Sequence, residues 1–119
     1  MPIMKVLFVC TANKLRSPTA EDLFRAMDGI EARSAGMDPD CPNPLTADLV
    51  AWAELIVTME SHHREHIRKK FKKARPADNR IITLFIPDEY ERDDPVLIDL
   101  LREKAWGRLE MIRDSIAAG

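Results

Sequence analysis

The sequence has little of what marks membrane, secreted or nucleic-acid-binding proteins. No apolar run approaches the roughly 20 residues that span a bilayer. The N-terminus lacks a cationic segment followed by a long apolar core, so we expect no signal peptide. The net charge is only −2, which gives no general reason to expect nucleic acid or an acidic membrane as a partner. Internal repeats and low-complexity segments are also missing.

What is present fits one small globular domain. The 119 residues are 45% hydrophobic and 32% charged, and a chain of this length builds one core rather than two. We therefore expect a single domain over residues 1–119. Cys10 and Cys41 could in principle pair, but a cysteine at a strand end facing an arginine is better explained as a reduced thiol. This favours a cytoplasmic location.

The most informative stretch is a strand, a loop and a helix start near the N-terminus. Residues 6–9 form an apolar run typical of a strand buried on both faces. Ser17 is a good helix N-cap, and Pro18 is a good first helical residue. We call the residues between them, Cys10 to Arg16, the anion loop. A loop that runs into a helix N-terminus presents free N–H groups and the positive end of the helix dipole, which suits a phosphate-sized anion.

The residue types of the anion loop indicate catalysis rather than binding alone. Cys10 is the candidate nucleophile, which would attack phosphorus to form a cysteinyl phosphate; the commoner fate of a strand cysteine is structural burial. Arg16 can clamp two oxygens of the anion at once. Phosphate-binding N–H groups are expected from the backbone of the loop, whatever its side chains: Thr11, Ala12, Asn13, Lys14, Leu15 and Arg16.

Strands and helices alternate along the rest of the chain, which predicts a parallel sheet with right-handed crossovers. Ligands of such sheets bind at the carboxyl ends of the strands, where Cys10 lies. Thr46, Ser61 and Asp94 are the predicted caps of the later helices. The predicted strands are residues 6–9, 30–34, 55–59 and 81–86, and the predicted helices are residues 19–27, 46–53, 61–73 and 94 to about 112.

The chain resembles the low-molecular-weight protein tyrosine phosphatases. The resemblance rests on Cys10 and Arg16-Ser17-Pro18 after an apolar strand, and it continues through most of the chain in the blocks 20–25, 33–36, 55–60 and 86–90. It implies a single-domain, three-layer α/β/α fold with a central, mostly parallel four-stranded sheet. It also implies a metal-independent phosphatase without cofactors. The expected partners are a phosphorylated substrate, either a phosphotyrosine protein or a small aryl phosphate, and inorganic phosphate or sulfate in the loop.

The resemblance assigns supporting roles as well. Ser17 matches a hydroxyl that donates to the thiolate. Asn13 matches an asparagine that holds the loop in a left-handed turn, which asparagine tolerates well. Ser34 matches the partner of that asparagine, and Tyr90 the aromatic wall that stacks on a phenyl phosphate. An ordinary turn asparagine, a strand-end serine and a half-buried loop tyrosine are the plain alternatives.

The leaving oxygen needs a proton, so a carboxylic acid should reach the site from another strand end. Asp88 is favoured, because residues 86–90 resemble the acid loop of the family. The family normally has proline after this aspartate, where Glu89 stands here. Asp94 is the competitor, because Pro95 follows it, although the cap of the last helix explains Asp94 well.

The chain departs from the family pattern at several places. Leu15 occupies the position where many relatives carry a second loop cysteine that forms a reversible disulfide with the nucleophile. Cys41 is the remaining thiol, and it could resolve an oxidised Cys10 only if its loop folds over the site. Residues 36–44 are shorter than the corresponding family segment, which predicts a shortened member with one substrate-cleft wall reduced. Ala12 stands where relatives often have glycine.

The basic helix over residues 61–73 carries a second set of candidates. His62 and His66 lie one turn apart, but no third ligand accompanies them, so we expect no metal site. The lysine and arginine run that follows is interpreted as a solvated helix face rather than a nucleic-acid site.

The sequence is therefore compatible with four functions. The leading one is a cysteine-dependent phosphomonoesterase acting on aryl phosphates. A phosphate-binding or phosphoprotein-binding regulatory module with little turnover comes next, favoured by the short 36–44 segment and by Glu89. Arsenate reduction ranks lower, because it needs resolving cysteines close to the site. An interaction protein that binds through the basic helix would keep its salt-dependent binding after loss of Cys10.

Overall fold

A computed structural model describes the chain over residues 3–118, with side chains to residue 116. The strands are β1 (Met4–Cys10), β2 (Ile30–Gly36), β3 (Leu55–Thr58) and β4 (Ile81–Thr83). The helices are α1 (Arg16–Phe24), α2 (Ala47–Trp52), α3 (Ser61–Lys70), α4 (Pro95–Leu101) and α5 (Gly107–Ala118), with a short 3-10 turn at Asp78–Arg80 and a π-helical segment at Arg102–Trp106. None of the helices within the described range is long and apolar enough to cross a membrane.

The four strands form one parallel sheet in the order β2-β1-β3-β4. The predicted α/β/α fold with a four-stranded sheet is confirmed. Strand β1 is central, and alternate residues pack into different cores, with Phe8 on one face and Val9 on the other. Side chains of α1, α4 and α5 cover the first face, and side chains of α2 and α3 cover the second. This layering explains why the β1 sequence is a continuous apolar run rather than an alternating one.

Two of the predicted helix caps are wrong. Helix α1 begins at Arg16, with Leu15 at the N-cap position, so Ser17 lies inside the first turn. Its hydroxyl contacts other residues of the site and does not cap the helix. Helix α3 is capped by Glu60 rather than by Ser61, because the Glu60 carboxylate and the His63 ring bond each other's backbone N–H groups in a capping box. The other caps, Thr46 and Asp94, each accept a bond from a helical N–H as predicted.

Strand β4 is shorter than predicted, and this shapes the site. The strand ends at Thr83, and Phe85 adopts a left-handed backbone conformation with φ of 57°. The chain therefore turns before Ile86, which is fully buried and donates its backbone N–H to the carbonyl of Met59. The last helix is continuous from Pro95 to Ala118 as a helical run, but it contains the π-helical segment that the sequence pattern did not predict.

Candidate active site

Cys10 ends the central strand, and its thiol lies beneath the anion loop. The sulfur is 2.9 Å from the hydroxyl oxygen of Ser17, in the first turn of α1. Both side chains are buried. A hydroxyl at this distance can donate to a thiolate, which matches the role that the resemblance implies for Ser17.

The turn within the anion loop is held by Asn13. Its φ is 51°, so the predicted left-handed conformation is present. Its side-chain amide donates to the hydroxyls of Ser17, at 2.9 Å, and Ser34, at 3.0 Å. Ser34 in turn donates to a carboxylate oxygen of Glu21 at 3.0 Å. Three predicted supporting residues thus form one hydrogen-bonded set behind the thiol.

The backbone of the anion loop is left free to bind an anion. Within residues 3–118, the N–H groups of residues 11–15 donate to no backbone acceptor. Unpaired N–H groups in a loop that enters a helix N-terminus are the usual means of holding a phosphate. These N–H groups are available to an anion, and their binding of phosphate stays a prediction.

Arg16 is the most deeply placed charge of the site, with 1% of its surface exposed. One terminal nitrogen donates to a carboxylate oxygen of Glu60 and to the carbonyl of Ile86, the latter at 2.7 Å. Its Nε lies 3.7 Å from a carboxylate oxygen of Asp88. These contacts come from two different segments of the chain, one at Glu60 and one at Ile86 and Asp88, so the guanidinium is held before any substrate arrives.

Glu60 is a site residue that the sequence analysis did not assign. Burial acts to raise the pKa of its carboxyl, but the hydrogen bond and the charge of Arg16 outweigh burial and hold the pKa below its ordinary value. The carboxylate therefore stays ionised opposite the guanidinium. No local pattern points to this role, because the contact with Arg16 joins residues 44 apart in the chain.

His63 is the second residue that the sequence analysis missed. Its side chain is fully buried, while the histidines first considered, His62 and His66, are more exposed. Its Nε2 lies 2.9 Å from the hydroxyl oxygen of Thr11, and its Nδ1 lies 3.0 Å from the backbone nitrogen of Glu60. Burial, aided by the nearby charges of His62 and Arg16, lowers the pKa of His63 from its ordinary 6.5 to about 4.

Glu60, His62 and His63 have ligand atoms within 4.8 Å of one another, a spacing that a metal ion could bridge. The Glu60 carboxylate is already bound to Arg16, and both ring nitrogens of His63 have partners. A metal would have to break these bonds. The donor set therefore does not fit a resident metal.

A cavity of about 130 Å³ opens above the thiol. Its volume is close to the roughly 150 Å³ that hold one benzene ring, so it can take a phosphate group, and a ring attached to the phosphate would lie at the open mouth, beside the lining side chains. The lining residues are Cys10, Ala12, Lys14, Leu15, Arg16 and Asp88.

The candidate acids and the candidate aromatic wall are placed differently. Asp88 lines the cavity, with 60% of its side chain exposed. Asp94 accepts from the N–H of Val96 as the cap of α4. Tyr90 is half-buried and packs against the main core, and it does not belong to the residues that line the cavity.

The segment after β2 packs behind the anion loop. Met37 and Asp38 donate their N–H groups to the carbonyls of Cys10 and Thr11, each at 2.9 Å. A Cβ on Gly36 would lie 2.5 Å from the Cys41 sulfur and 2.9 Å from the Thr11 carbonyl oxygen, so only glycine fits there. Cys41 is a free thiol held against the strand residue that pairs with Cys10.

Comparison with known proteins agrees with this geometry. The family model described as low molecular weight phosphotyrosine protein phosphatase matches residues 5–42, which contain β1, the anion loop and β2. A protein-arginine-phosphatase of Bacillus subtilis is 29% identical over 109 residues, covering 68% of this chain and 70% of that protein.

Solved structures share the fold. The tyrosine phosphatase Wzb from Escherichia coli K30, in complex with phosphate, superposes with a TM-score of 0.71 at 22% identity, covering 92% of this chain and 98% of that one. The YwlE arginine phosphatase from Geobacillus stearothermophilus superposes with a TM-score of 0.59 at 25% identity, covering 97% and 91%.

The family match covers the anion loop, which contains the candidate nucleophile. The similar solved structures share the sheet that carries this loop. A buried thiol and a buried arginine at the carboxyl end of the central strand agree with phosphatase chemistry. The chain is similar to the low molecular weight phosphotyrosine protein phosphatases over residues 5–42, and its similarity to known phosphatases indicates a metal-independent, cysteine-based phosphatase.

Proposed function

We propose that this phosphatase hydrolyses aryl phosphate monoesters, of which phosphotyrosine is the biological example, through a cysteinyl-phosphate intermediate. The observation that carries the proposal is the cavity itself. One space of about 130 Å³ is lined by a thiol, a buried guanidinium and a carboxyl group. These are the nucleophile, the anion clamp and the proton source that such a hydrolysis needs.

In the first step, the Cys10 thiolate attacks phosphorus. The S–P bond forms, the P–O bond to the aryl group breaks, and Asp88 donates a proton to the leaving oxygen. Arg16 and the free N–H groups of the loop hold the phosphoryl oxygens, where charge develops. In the second step, water attacks phosphorus, its proton passes to Asp88, and the S–P bond breaks. The Ser17 hydroxyl donates to the sulfur as it leaves.

Asp88 is the proposed acid because of where it lies. It lines the cavity and is 3.7 Å from Arg16, so a substrate oxygen held by Arg16 comes within reach. Asp94 is occupied as the cap of α4. The exposure of Asp88 leaves room for its segment to adjust when substrate binds, and catalytic hydrogen bonds often tighten only then.

Phosphoarginine is the second candidate substrate, because two of the similar proteins are arginine phosphatases. The cavity walls favour an aryl group instead. Ala12 and Leu15 are apolar, and Lys14 adds a positive charge beside the cavity. A guanidinium group attached to the phosphate would meet that ammonium, while an uncharged ring would not.

This preference can be measured on the purified protein. We expect kcat/KM for phosphotyrosine peptides to exceed that for phosphoarginine peptides. Lys14→Gln should shift the ratio toward phosphoarginine by about threefold, the size of an exposed charge pair. A wild-type preference for phosphoarginine would rule out the aryl assignment, and a ratio unchanged by the substitution would rule out the role of Lys14.

A phosphate-binding module with little turnover and an arsenate reductase remain the alternatives to hydrolysis. Hydrolysis of p-nitrophenyl phosphate in the presence of EDTA separates them. We expect turnover in the wild type, loss of activity in Cys10→Ser, and retention in the matched control Cys41→Ser. A folded wild type that binds phosphate without turnover would support the binding module, and arsenate reduction that depends on Cys41 would support the reductase.

A further inference from the structure

His63 is a buried polar side chain that touches the anion loop without belonging to the cavity. It lies in the first turn of α3 and has no exposed surface. The residues that line the cavity do not include it. A fully buried imidazole is retained only when both ring nitrogens are satisfied, so its partners indicate what it does.

The hydrogen bonds fix the tautomer of the ring. The backbone N–H of Glu60 donates to Nδ1 at 3.0 Å, so Nδ1 must carry a lone pair. In the neutral ring the proton is then on Nε2. Nε2 therefore donates to the hydroxyl oxygen of Thr11 at 2.9 Å. Thr11 directly follows the nucleophile in the chain.

The same ring reaches the other end of the anion loop through Glu60. The imidazole holds the backbone of Glu60, and the Glu60 carboxylate holds Arg16. One side chain of α3 thus fixes the residue after Cys10 directly and the last residue of the loop through one intermediate.

We propose that His63 is a positioning residue that holds both ends of the anion loop in the geometry that receives the phosphoryl group. The inference rests on the proposed function, since it concerns the same loop. The titratable and charged groups nearest the ring are Arg16, Glu60, His62 and His66.

The competing explanation is that His63 merely fills space at the start of α3. Two substitutions separate these explanations, because each keeps one of the two bonds. His63→Asn places an amide near the position of Nδ1 and is too short to reach Thr11. His63→Gln places its amide nitrogen near the position of Nε2 and can still donate to Thr11.

The experiment combines these variants with Thr11→Val, which removes the hydroxyl and keeps the shape of the side chain. The matched control is His66→Asn, one turn further along the same helix. The readouts are kcat and KM for p-nitrophenyl phosphate, the Kd of inorganic phosphate by NMR titration, and the melting temperature.

We expect His63→Asn and Thr11→Val each to lower kcat/KM and to weaken phosphate binding by about tenfold, the scale of one lost hydrogen bond. The double variant should lose no more than either single variant, because both remove the same link. His63→Gln should recover most of the loss, and His66→Asn should behave like the wild type. Additive losses in the double variant, or equal losses in His63→Asn and His63→Gln, would overturn the proposal.

Failure of this inference can be told apart from failure of the proposed function. If the wild type does not hydrolyse aryl phosphates, the proposed function fails, and the phosphate titrations still decide the role of His63. If His63→Asn does not fold, Thr11→Val and His63→Gln carry the same comparison, because the first alters only a loop hydroxyl and the second keeps the Nε2 bond.

Discussion

The two segments that build the site differ sharply in how firmly they are held. The anion loop after β1 is tied by Asn13, Ser17 and Arg16 to three other parts of the chain, and all three side chains are buried. The segment over residues 84–94, after β4, is anchored at the buried Ile86, but it carries Asp88 with 60% of its side chain exposed. The anion-holding half of the site is therefore built before substrate arrives, while the proton-donating half is free to adjust.

This difference has a physical reason. A phosphoryl group that gains charge in the transition state is best stabilised by dipoles and cations that need not reorganise. A proton donor must follow a leaving group whose position changes during the reaction. We therefore expect substitutions in the anion loop to lower catalytic activity more than substitutions in the 84–94 segment.

The largest effect is expected at Arg16. Arg16→Lys keeps the charge but loses the planar fork that can bond Glu60, Ile86 and two phosphoryl oxygens. We expect kcat/KM for p-nitrophenyl phosphate to fall by about 10³-fold. Arg25→Lys is the matched control, because Arg25 is an exposed arginine at the C-cap of α1. A loss for Arg16→Lys as small as that of the control would contradict a preformed anion clamp.

The lowered pKa of the buried His63 predicts how the stability of the protein changes at acid pH. Its pKa in the folded chain is about 4 against the ordinary 6.5, so between these values the unfolded chain binds a proton that the folded chain does not. The stability that comes from keeping His63 neutral is fully present above about pH 6.5 and is lost as the pH falls toward 4. It amounts to about 3 kcal/mol in the free energy of unfolding.

Urea unfolding of the wild type and of His63→Asn between pH 7 and pH 4 measures this contribution. We expect the difference in stability between the two proteins to shrink across that range. Glu60 is present in both proteins, and its lowered pKa adds stability that is lost only as the pH falls through its ordinary value of 4.5, so the part of the range above about pH 5 reports on His63. A difference that stays constant with pH would show that His63 is not held neutral.

A smaller effect is expected in the 84–94 segment. Asp88→Asn should lower kcat for p-nitrophenyl phosphate and phosphotyrosine by about 10²-fold, with the greater loss on the substrate whose leaving oxygen is more basic. Asp94→Ala should chiefly lower the melting temperature, since it removes a helix cap worth about 1 kcal/mol. The reverse pattern, with the leaving-group dependence in Asp94→Ala, would move the acid to the helix cap.

The sequence predicted the anion-loop half better than the other half, and the same difference explains why. The spacing of Cys10, Arg16 and Pro18 encodes a strand, a loop and a helix within a few residues, so local rules predict these three elements in the right order, although they place the helix start too late. The roles of Glu60 and His63 depend on contacts across the sheet, at separations of 44 and 52 residues from Arg16 and Thr11. No local pattern reports such contacts.

The 84–94 segment was harder to predict because its turn breaks a local rule. Residues 81–86 read as one strand, yet the chain leaves the sheet after Thr83 and Phe85 takes a left-handed conformation that its side chain does not favour. The carbonyl of Ile86 reaches Arg16 as a result. A contact in the site therefore depends on a backbone turn that the residue types alone do not announce.

The central claim is that Cys10 itself carries the phosphoryl group. Rapid acid quenching of the wild type and of Asp88→Asn during turnover of p-nitrophenyl phosphate, followed by mass spectrometry of the peptide that contains Cys10, tests this most directly. The account predicts a phosphoryl adduct on the Cys10 sulfur in both proteins and none on Cys41. Either of two results would contradict it. One is turnover by the wild type with no adduct on Cys10, and the other is turnover at an undiminished rate by the Cys10→Ser protein.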